Sequence, residues 1–221
     1  MFKKVLIVDD LMSINLGVNA MLKNGYTQNV VYAHYCDEAI LKLKRAEQDG
    51  EPFDLLITDL SFKEDHREQK LKNGEDLVMT VNMTWPDLKV IVYSIEDKIQ
   101  RIRRLIHQYQ AKAYVCKGRY GLKELEQAVA AVNKNSTYLS PSVETAVNGQ
   151  EVNEIDDFDV LLLNELALGL SQDEISKQFK EKKITPSSLS SIEKRLNKLK
   201  IQLQANNSIH LVAIAKDMGI I

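Results

Sequence analysis

The chain has 221 residues, 44% of them hydrophobic and 27% charged, so it can bury one large core or two smaller ones. The formal net charge of −2 excludes a protein that is polybasic throughout, although a basic patch on one domain remains compatible with it. Two isolated cysteines exclude a disulfide framework, and no apolar run has the length of a signal peptide or membrane span, so we expect a cytoplasmic protein that does not bind membranes.

Residues 1–134 alternate short β-branched runs with longer amphipathic patterns. The runs predict strands at 5–8, 30–33, 55–58, 90–93 and 113–116. The amphipathic patterns that follow them predict helices at 13–23, 37–47, 74–84, 98–109 and 122–133. Such a succession predicts an α/β fold in which helices cover both faces of a parallel sheet. The continuously apolar strands fit a sheet that is buried on both sides.

Polar side chains follow four of these strands at the point where each strand ends. Ligands of parallel sheets bind outside the carboxyl ends of the strands, so we expect these side chains to form one site. They are, in chain order, Asp9, Asp10, Asp59, Ser94 and Lys117.

The residue types at this predicted site suit phosphoryl transfer. Clustered carboxylates repel one another when they are ionised, and Mg²⁺ removes that repulsion while it keeps part of its hydration shell. Lys117 and Ser94 can both donate to a phosphate oxygen. Because carboxylates form aspartyl phosphates, Asp59 is the predicted nucleophile toward phosphorus.

In their order along the chain, these residues resemble the receiver domain of two-component response regulators, over residues 1–134. The resemblance implies a doubly wound, five-stranded parallel sheet with strand order 2-1-3-4-5. It also implies that Asp59 accepts phosphate from a sensor histidine kinase with Mg²⁺ bound. Lys117 and Ser94 would contact the phosphate, and Tyr114 would be the switch aromatic that turns inward. The implied metal ligands are Asp9, Asp10, Asp59 and the main-chain carbonyl of Ser61.

The segment after Asp59 departs from the usual receiver pattern. Ser61-Phe62-Lys63 stands where receivers carry a Met-Pro pair, and the charged loop 60–73 exceeds the roughly two to six residues common in βα units. A lid over the site and a solvated insertion both fit this loop. The basic pattern at 98–109 likewise fits either a partner or dimer surface or an ordinary solvated face.

The pattern changes after residue 134. Residues 135–155 are predicted to form a linker with one short helix that starts at Ser140 or Pro141. The patterns beyond it are helical, at 158–168, 172–179, 186–200 and 208–218. The predicted N-caps of the last three helices are Ser171, Thr185 and Ser208. Residues 156–221 therefore form a small all-α domain.

This helical domain resembles the LuxR-type helix-turn-helix output domain, through segments 168–176 and 189–199 and the linker motif 138–141. The resemblance implies a scaffold helix at 172–179 and a recognition helix at 186–200, although 180–184 is a small insertion relative to the family. From residue 170 onward nine Lys and Arg stand against five Asp and Glu, a net charge of +4 that favours nucleic acid. The predicted DNA-contacting residues are Ser187, Ser190, Ser191, Lys194, Arg195 and Lys198.

Two functional hypotheses follow from these resemblances. In the first, the chain is a response regulator whose phosphorylation controls the binding of double-stranded DNA and transcription, with a homodimer at least in the phosphorylated state. In the second, the helical domain binds a protein instead of DNA. We expect no enzyme beyond phosphoryl transfer to and from Asp59, because the helical domain carries no catalytic constellation.

Overall fold

The structure is a computed structural model that describes residues 1–63, 69–148 and 155–221. The middle of the loop 60–73 and the end of the predicted linker lie outside the described residues. The chain divides into two compact units, Met1–Asp97 with Ile102–Val147 and Lys98–Arg101 with Asn148–Ile221. Among the described helices, none is long and apolar enough to cross a membrane.

A parallel sheet of six strands forms the centre of the first unit. The strands are β1 (Val5–Val8), β2 (Val30–Ala33), β3 (Leu55–Thr58), β4 (Lys89–Ser94), β5 (Ala113–Cys116) and β6 (Tyr138–Leu139). Their spatial order is β2-β1-β3-β4-β5-β6. The predicted order 2-1-3-4-5 is therefore confirmed, with a sixth strand added at its edge. The sequence does not predict β6, because two residues are too short to show a strand periodicity.

Six described helices accompany the strands of the sheet. They are α1 (Met12–Lys23), α2 (Cys36–Gln48), α3 (Gly74–Thr84), α4 (Ile99–Arg103), α5 (Gly121–Asn133) and α6 (Pro141–Asn148). They belong to the first unit except for residues 99–101 of α4 and Asn148 of α6. One π-helical turn, Arg104–Gln108, continues α4, and the N–H of Tyr109 donates to the carbonyl of Arg104. The predicted single helix at 98–109 is thus two different helical forms. Both β6 and α6 as far as Val147 belong to the first unit, although the sequence analysis assigned their residues to a linker.

The register of the sheet brings the strand ends together. Val8 of β1 pairs with Thr58 of β3, and Ser94 of β4 pairs with Cys116 of β5. The residues that follow these pairs therefore lie at one edge of the sheet. The strands β1 and β3 are buried along their whole length, and α1 packs against α5 while α2 packs against α3. This arrangement is the predicted sheet with helices on both faces.

The second unit contains four helices: α7 (Asp157–Ala167), α8 (Gln172–Glu181), α9 (Leu189–Gln202) and α10 (Ser208–Asp217). Their apolar sides share one core that includes Leu163, Phe179, Leu196 and Leu211. Burial of these side chains is the main force that holds such short helices in place.

Of the three N-cap residues predicted for helices of the second unit, one is observed and two are not. Ser171 begins α8 with the predicted capping box. The predictions for Thr185 and Ser208 were wrong, because α9 is capped by Ser188 and α10 by Asn207. In each case the side-chain oxygen of the observed cap accepts a hydrogen bond from the orphan backbone N–H of the third helical residue.

Candidate phosphoryl-transfer site

One lysine ammonium joins two buried carboxylates at the carboxyl end of the sheet. The Nζ atom of Lys117 lies 2.7 Å from Oδ2 of Asp9 and 2.5 Å from Oδ2 of Asp59. Asp9 is 2% exposed and Asp59 is 6% exposed. The three side chains follow β5, β1 and β3, so the register of the sheet alone places them at this edge. The structure thus brings together three of the predicted site residues in direct contact.

The pKa values at this site follow from burial and from the ion pairs. Burial raises the pKa of the Asp9 carboxyl above its ordinary value, although hydrogen bonds from Lys117 and from the N–H of Leu11 work against that rise. Burial lowers the pKa of Lys117, but hydrogen bonds with Asp59 and Asp9 outweigh this effect and the pKa of the ammonium is raised. The lysine therefore stays charged between the two carboxylates.

The backbone after β3 fixes the other oxygen of Asp59. Its Oδ1 accepts from the N–H of Leu60 at 2.6 Å and from the N–H of Ser61 at 3.4 Å. With Oδ2 bound to Lys117, both carboxylate oxygens have defined partners. The carboxylate of Asp59 is therefore held in one orientation.

The acidic pair after β1 is also tied down. Oδ1 of Asp9 accepts from the N–H of Leu11 at 2.8 Å, and its carbonyl accepts from Nδ2 of the buried Asn15 at 2.9 Å. Oδ2 of Asp10 accepts from the N–H of Lys63 at 3.1 Å. The start of the loop 60–73 thus contacts the acidic pair directly. Asn15 is a supporting residue that the sequence analysis missed, since a polar residue inside a helix gives no distinctive signal.

The predicted switch residues meet at Glu96. The hydroxyl of the fully buried Tyr114 donates to the carbonyl of Glu96 at 2.5 Å. The N–H of Glu96 donates to Oγ of the buried Ser94 at 3.4 Å. Ser94 and Tyr114 therefore hold the same residue, one through its N–H and the other through its carbonyl. The sequence analysis did not identify Glu96, because its contacts use only the backbone.

An aromatic ring beside Lys117 was also missed. The Nζ atom of Lys117 lies 5.5 Å from the ring centroid of Tyr93, which is within reach of a cation–π interaction. Burial raises the pKa of the Tyr93 hydroxyl, so the ring stays neutral beside the ammonium. Tyr93 gives no sequence signal of its own, since an aromatic residue in a buried strand is usually a core residue.

The donors at this edge suit Mg²⁺. Oxygens of Asp9 and Asp59 already face one cation, the Lys117 ammonium, so they lie close enough to share a charge. Mg²⁺ requires only one or two carboxylates, because it keeps several of its waters. In the described parts of the chain, no three His, Cys, Asp or Glu side chains form a ready-made metal cluster. The residues fit a hydrated Mg²⁺ and do not resemble a closed structural metal site.

The predicted recognition helix presents a polar face to solvent. Of the predicted DNA-contacting residues, Ser190, Lys194 and Lys198 are exposed, while Ser187 and Ser191 are partly buried. The Ser191 hydroxyl lies 2.7 Å from that of the capping Ser188. Three further residues share the exposed face and were not predicted to contact DNA: Glu193, Asn197 and Ile201.

Arg195 occupies a different position from the other predicted DNA contacts. Its guanidinium forms ion pairs with Asp159, which is fully buried, and with Asp156. Hydrogen bonds with Asp159 raise the pKa of Arg195 still further. The two carboxylates belong to the capping box at the start of α7. The side chain therefore joins α9 to α7 inside the second unit.

No protein-family model matches the chain, and no curated protein matches it by sequence. Solved structures do match it. The RcsB response regulator of Salmonella typhimurium is 22% identical, with a TM-score of 0.67 over 97% of this chain and 99% of that chain. RcsB dimers bound to two parallel DNAs give 21% identity and a TM-score of 0.63, over 97% of this chain and 98% of that chain.

A third matching structure contains a receiver domain only. The isolated receiver domain of RcsB from Salmonella enterica serovar Typhimurium, with the phosphomimetic BeF3−, is 22% identical. Its TM-score is 0.55 over 66% of this chain and 99% of that chain. Both the parallel sheet and the added helices therefore have counterparts in one protein. Over nearly its whole length, the chain has the fold of a response regulator with a receiver domain followed by a helix-turn-helix domain.

Proposed function

We propose that the chain is a response regulator, in which phosphorylation of Asp59 by a sensor histidine kinase controls DNA binding by the second unit. The observation that carries this proposal is the contact of one ammonium, that of Lys117, with both Asp59 and Asp9 at the carboxyl end of a parallel sheet. A buried nucleophile beside a fixed cation is what phosphoryl transfer requires, since its catalysis is mostly positioning and charge neutralisation.

In the proposed reaction, an oxygen of Asp59 forms a bond to phosphorus while the bond from phosphorus to the kinase histidine breaks. Lys117 can follow the transferred group, because its ammonium already contacts the attacking carboxylate. The N–H groups of Leu60 and Ser61 keep that carboxylate oriented. Mg²⁺ would supply further charge neutralisation, held by Asp9, Asp10, Asp59 and the main-chain carbonyl of Ser61.

We propose that Ser94 and Tyr114 carry the response to phosphorylation. A phosphoryl group adds negative charge and new acceptor oxygens beside Ser94, whose hydroxyl can donate to them. Ser94 also accepts from the N–H of Glu96, and Tyr114 donates to the carbonyl of the same residue. A rotation of the Ser94 hydroxyl therefore disturbs the residue that holds Tyr114. This coupling supports a population shift between two states of the β4–α4 segment.

The exposed face of α9 is the proposed DNA-binding surface. It carries Lys194 and Lys198, which can neutralise phosphates, and Ser190, which can reach base edges. Structures of RcsB with DNA, including one with promoter rprA and BeF3− at 21% identity, support the same use of the second unit. RcsB dimers on DNA support a dimeric active form. Arg195 is kept as a residue that positions α9, because its guanidinium is occupied by Asp159.

A second candidate function is a protein-binding output unit. The side chains of Ile201 and Ile209 are 79% and 84% exposed, so each can pack against an apolar surface of another protein. Glu193 on the exposed face of α9 also opposes contact with phosphates. This function predicts that a partner protein binds and that DNA does not.

The decisive experiment combines labelling with DNA binding. The full-length protein and Asp59→Asn are incubated with acetyl phosphate and Mg²⁺, and intact mass and oligomer size are measured. We expect one added phosphate on the wild-type protein only. Salt-dependent binding of duplex DNA is then measured with and without the label. Absence of label on the wild-type protein would contradict the receiver function, and labelled protein that binds no DNA would favour the second candidate.

A further inference from the structure

Ser140 lies beside the candidate site, although it belongs to a segment that the sequence predicts as a linker. It follows β6, whose residues Tyr138 and Leu139 pair with Ala113 and Tyr114 of β5. Ser140 is fully buried. A buried hydroxyl needs hydrogen-bonding partners, so the partners of Ser140 indicate what it holds in place.

The hydroxyl of Ser140 connects β5 to α5. Its Oγ accepts from the N–H of Cys116 at 2.9 Å and donates to Oε2 of Glu124. The N–H of Ser140 donates to the carbonyl of Tyr114 at 2.9 Å. The hydroxyl therefore provides a partner for Cys116 just beyond the last paired residue of β6. Because the hydroxyl both accepts from Cys116 and donates to Glu124, the Ser140 side chain is fixed in one rotamer.

The end of β5, just before the Lys117 side chain, is held from two sides. On one side, the N–H of Cys116 donates to Ser140. On the other side, the N–H of Lys117 donates to the carbonyl of Ser94 at 2.7 Å. These two bonds set the position from which the Lys117 side chain reaches Asp9 and Asp59. A shift of the strand end at Cys116 moves the base of the lysine directly.

We propose that Ser140, with Glu124 as its acceptor, is a positioning residue for Lys117 during the phosphorylation of Asp59. This inference rests on the function proposed above, and it extends the candidate site to the residue that follows β6. Loss of the hydroxyl leaves the N–H of Cys116 and the carboxylate of Glu124 without their partner, so the end of β5 can move. A small misplacement of a group that contacts the reacting atoms can slow a reaction by about 10²-fold.

The test is the rate at which acetyl phosphate labels the full-length protein, followed by intact mass. We expect Ser140→Ala to slow labelling roughly tenfold. Ser136→Ala, at an exposed serine before β6, is the matched control and should label at the wild-type rate. Glu124→Gln keeps an oxygen that can accept from Ser140, so it should label like the wild-type protein, whereas Glu124→Ala should label like Ser140→Ala.

A merely structural role is distinguished by the double variant Ser140→Ala/Lys117→Ala. If Ser140 acts through Lys117, the double variant labels at the rate of Lys117→Ala alone. The inference would be overturned if the double variant were slowed by the product of the two single-variant effects. It would also be overturned if Ser140→Ala labelled at the wild-type rate. If Ser140→Ala does not fold, the Glu124→Gln and Glu124→Ala pair decides in the same way. Failure of the wild-type protein to label is a different result, because it contradicts the proposed function itself.

Discussion

Gly74 lies so close to Asp59 that a Cβ atom at this glycine would stand 1.9 Å from the Asp59 carbonyl oxygen. The N–H of Gly74 also donates to the carbonyl of Leu60 at 3.0 Å. The start of α3 is therefore packed directly against the backbone of the proposed phosphoacceptor. A side chain at this position must displace either α3 or Asp59.

Gly74→Ala is expected to destabilise the first unit and to slow the labelling of Asp59. Overpacking of this kind costs about 1–3 kcal/mol, and here the atoms in the way are backbone atoms that cannot rotate aside. Urea unfolding followed by the fluorescence of Trp85 measures the stability, since the chain has one tryptophan and it lies in the first unit. Gly118→Ala is the control, because a Cβ at Gly118 has no heavy atom within 4 Å.

Lys117→Ala is expected to lower the labelling rate of Asp59 at least tenfold, which is about 1.4 kcal/mol in the barrier. The change removes the cation between two buried carboxylates, so Asp9 and Asp59 then repel each other. The transferred phosphoryl group also loses the ammonium that would neutralise its charge. Lys123→Ala, at an exposed position on α5, should leave the rate unchanged. Equal rates for both variants would show that the ammonium has no part in the transfer.

Arg195→Ala is expected to destabilise the second unit by about 3 kcal/mol, because it leaves the buried carboxylate of Asp159 without its cation. Far-UV circular dichroism during urea unfolding is the measurement, since the fluorescence of Trp85 does not report on this unit. Lys194→Ala, on the exposed face of the same helix, should change stability little. If Arg195→Ala is as stable as the control and loses only DNA binding, Arg195 contacts DNA and does not position α9.

The sequence predicts those parts of the site that depend on strand ends. Asp9, Asp59 and Lys117 each follow a run of apolar, β-branched residues, and parallel strands in register place such residues together without further information. The positions of these three residues at the strand ends are therefore enough to predict that their side chains meet. The regular βα units predict a parallel sheet, whereas the strand order 2-1-3-4-5 is implied by the resemblance to receiver domains.

Other parts of the structure could not be predicted in this way. Glu96 acts through its backbone, Ser140 follows a strand of two residues, and the ion pair of Arg195 with Asp159 joins side chains far apart in sequence. In each case the interaction depends on tertiary packing and not on a local pattern. Arg195 shows the consequence most clearly, since a basic residue on a predicted recognition helix has the same sequence signal whether or not a carboxylate lies behind it.

The thiol of Cys36 is expected to resist modification until the first unit unfolds. Burial, together with the nearby charges of Asp37 and Asp76, raises its pKa to about 12. The reactive thiolate is therefore only roughly one part in ten thousand at pH 8. A thiol reagent such as DTNB should titrate about one thiol in the native protein, from Cys116, and two in urea. In Cys116→Ser the native protein should show almost no rapid reaction, and a fast equivalent there would contradict the burial of Cys36.

The proposed DNA-binding face of α9 carries side chains suited to two kinds of DNA contact, and these can be tested independently. Asn197 lies between Lys194 and Lys198 in sequence. Successive helical residues are rotated by roughly 100° about the helix axis, so the side chain of Asn197 points within about 20° of that of Ser190. Asn197 therefore lies near the centre of the exposed face of α9. In the described ranges its amide makes no hydrogen bond. An asparagine in that position can form two hydrogen bonds with the major-groove edge of an adenine, whereas the lysines beside it can contact phosphates.

We therefore expect Asn197→Ala and Lys198→Ala to weaken DNA binding in different ways. Asn197→Ala should cost about 1–3 kcal/mol on the preferred sequence and little on unrelated duplexes. Lys198→Ala should weaken binding to all sequences alike and reduce the slope of log K against log salt by about 1. Fluorescence anisotropy with a duplex selected from a random library, at several salt concentrations, measures both effects. If Asn197→Ala lowers affinity equally for every duplex, the amide does not read bases and the helix binds DNA through its charge alone.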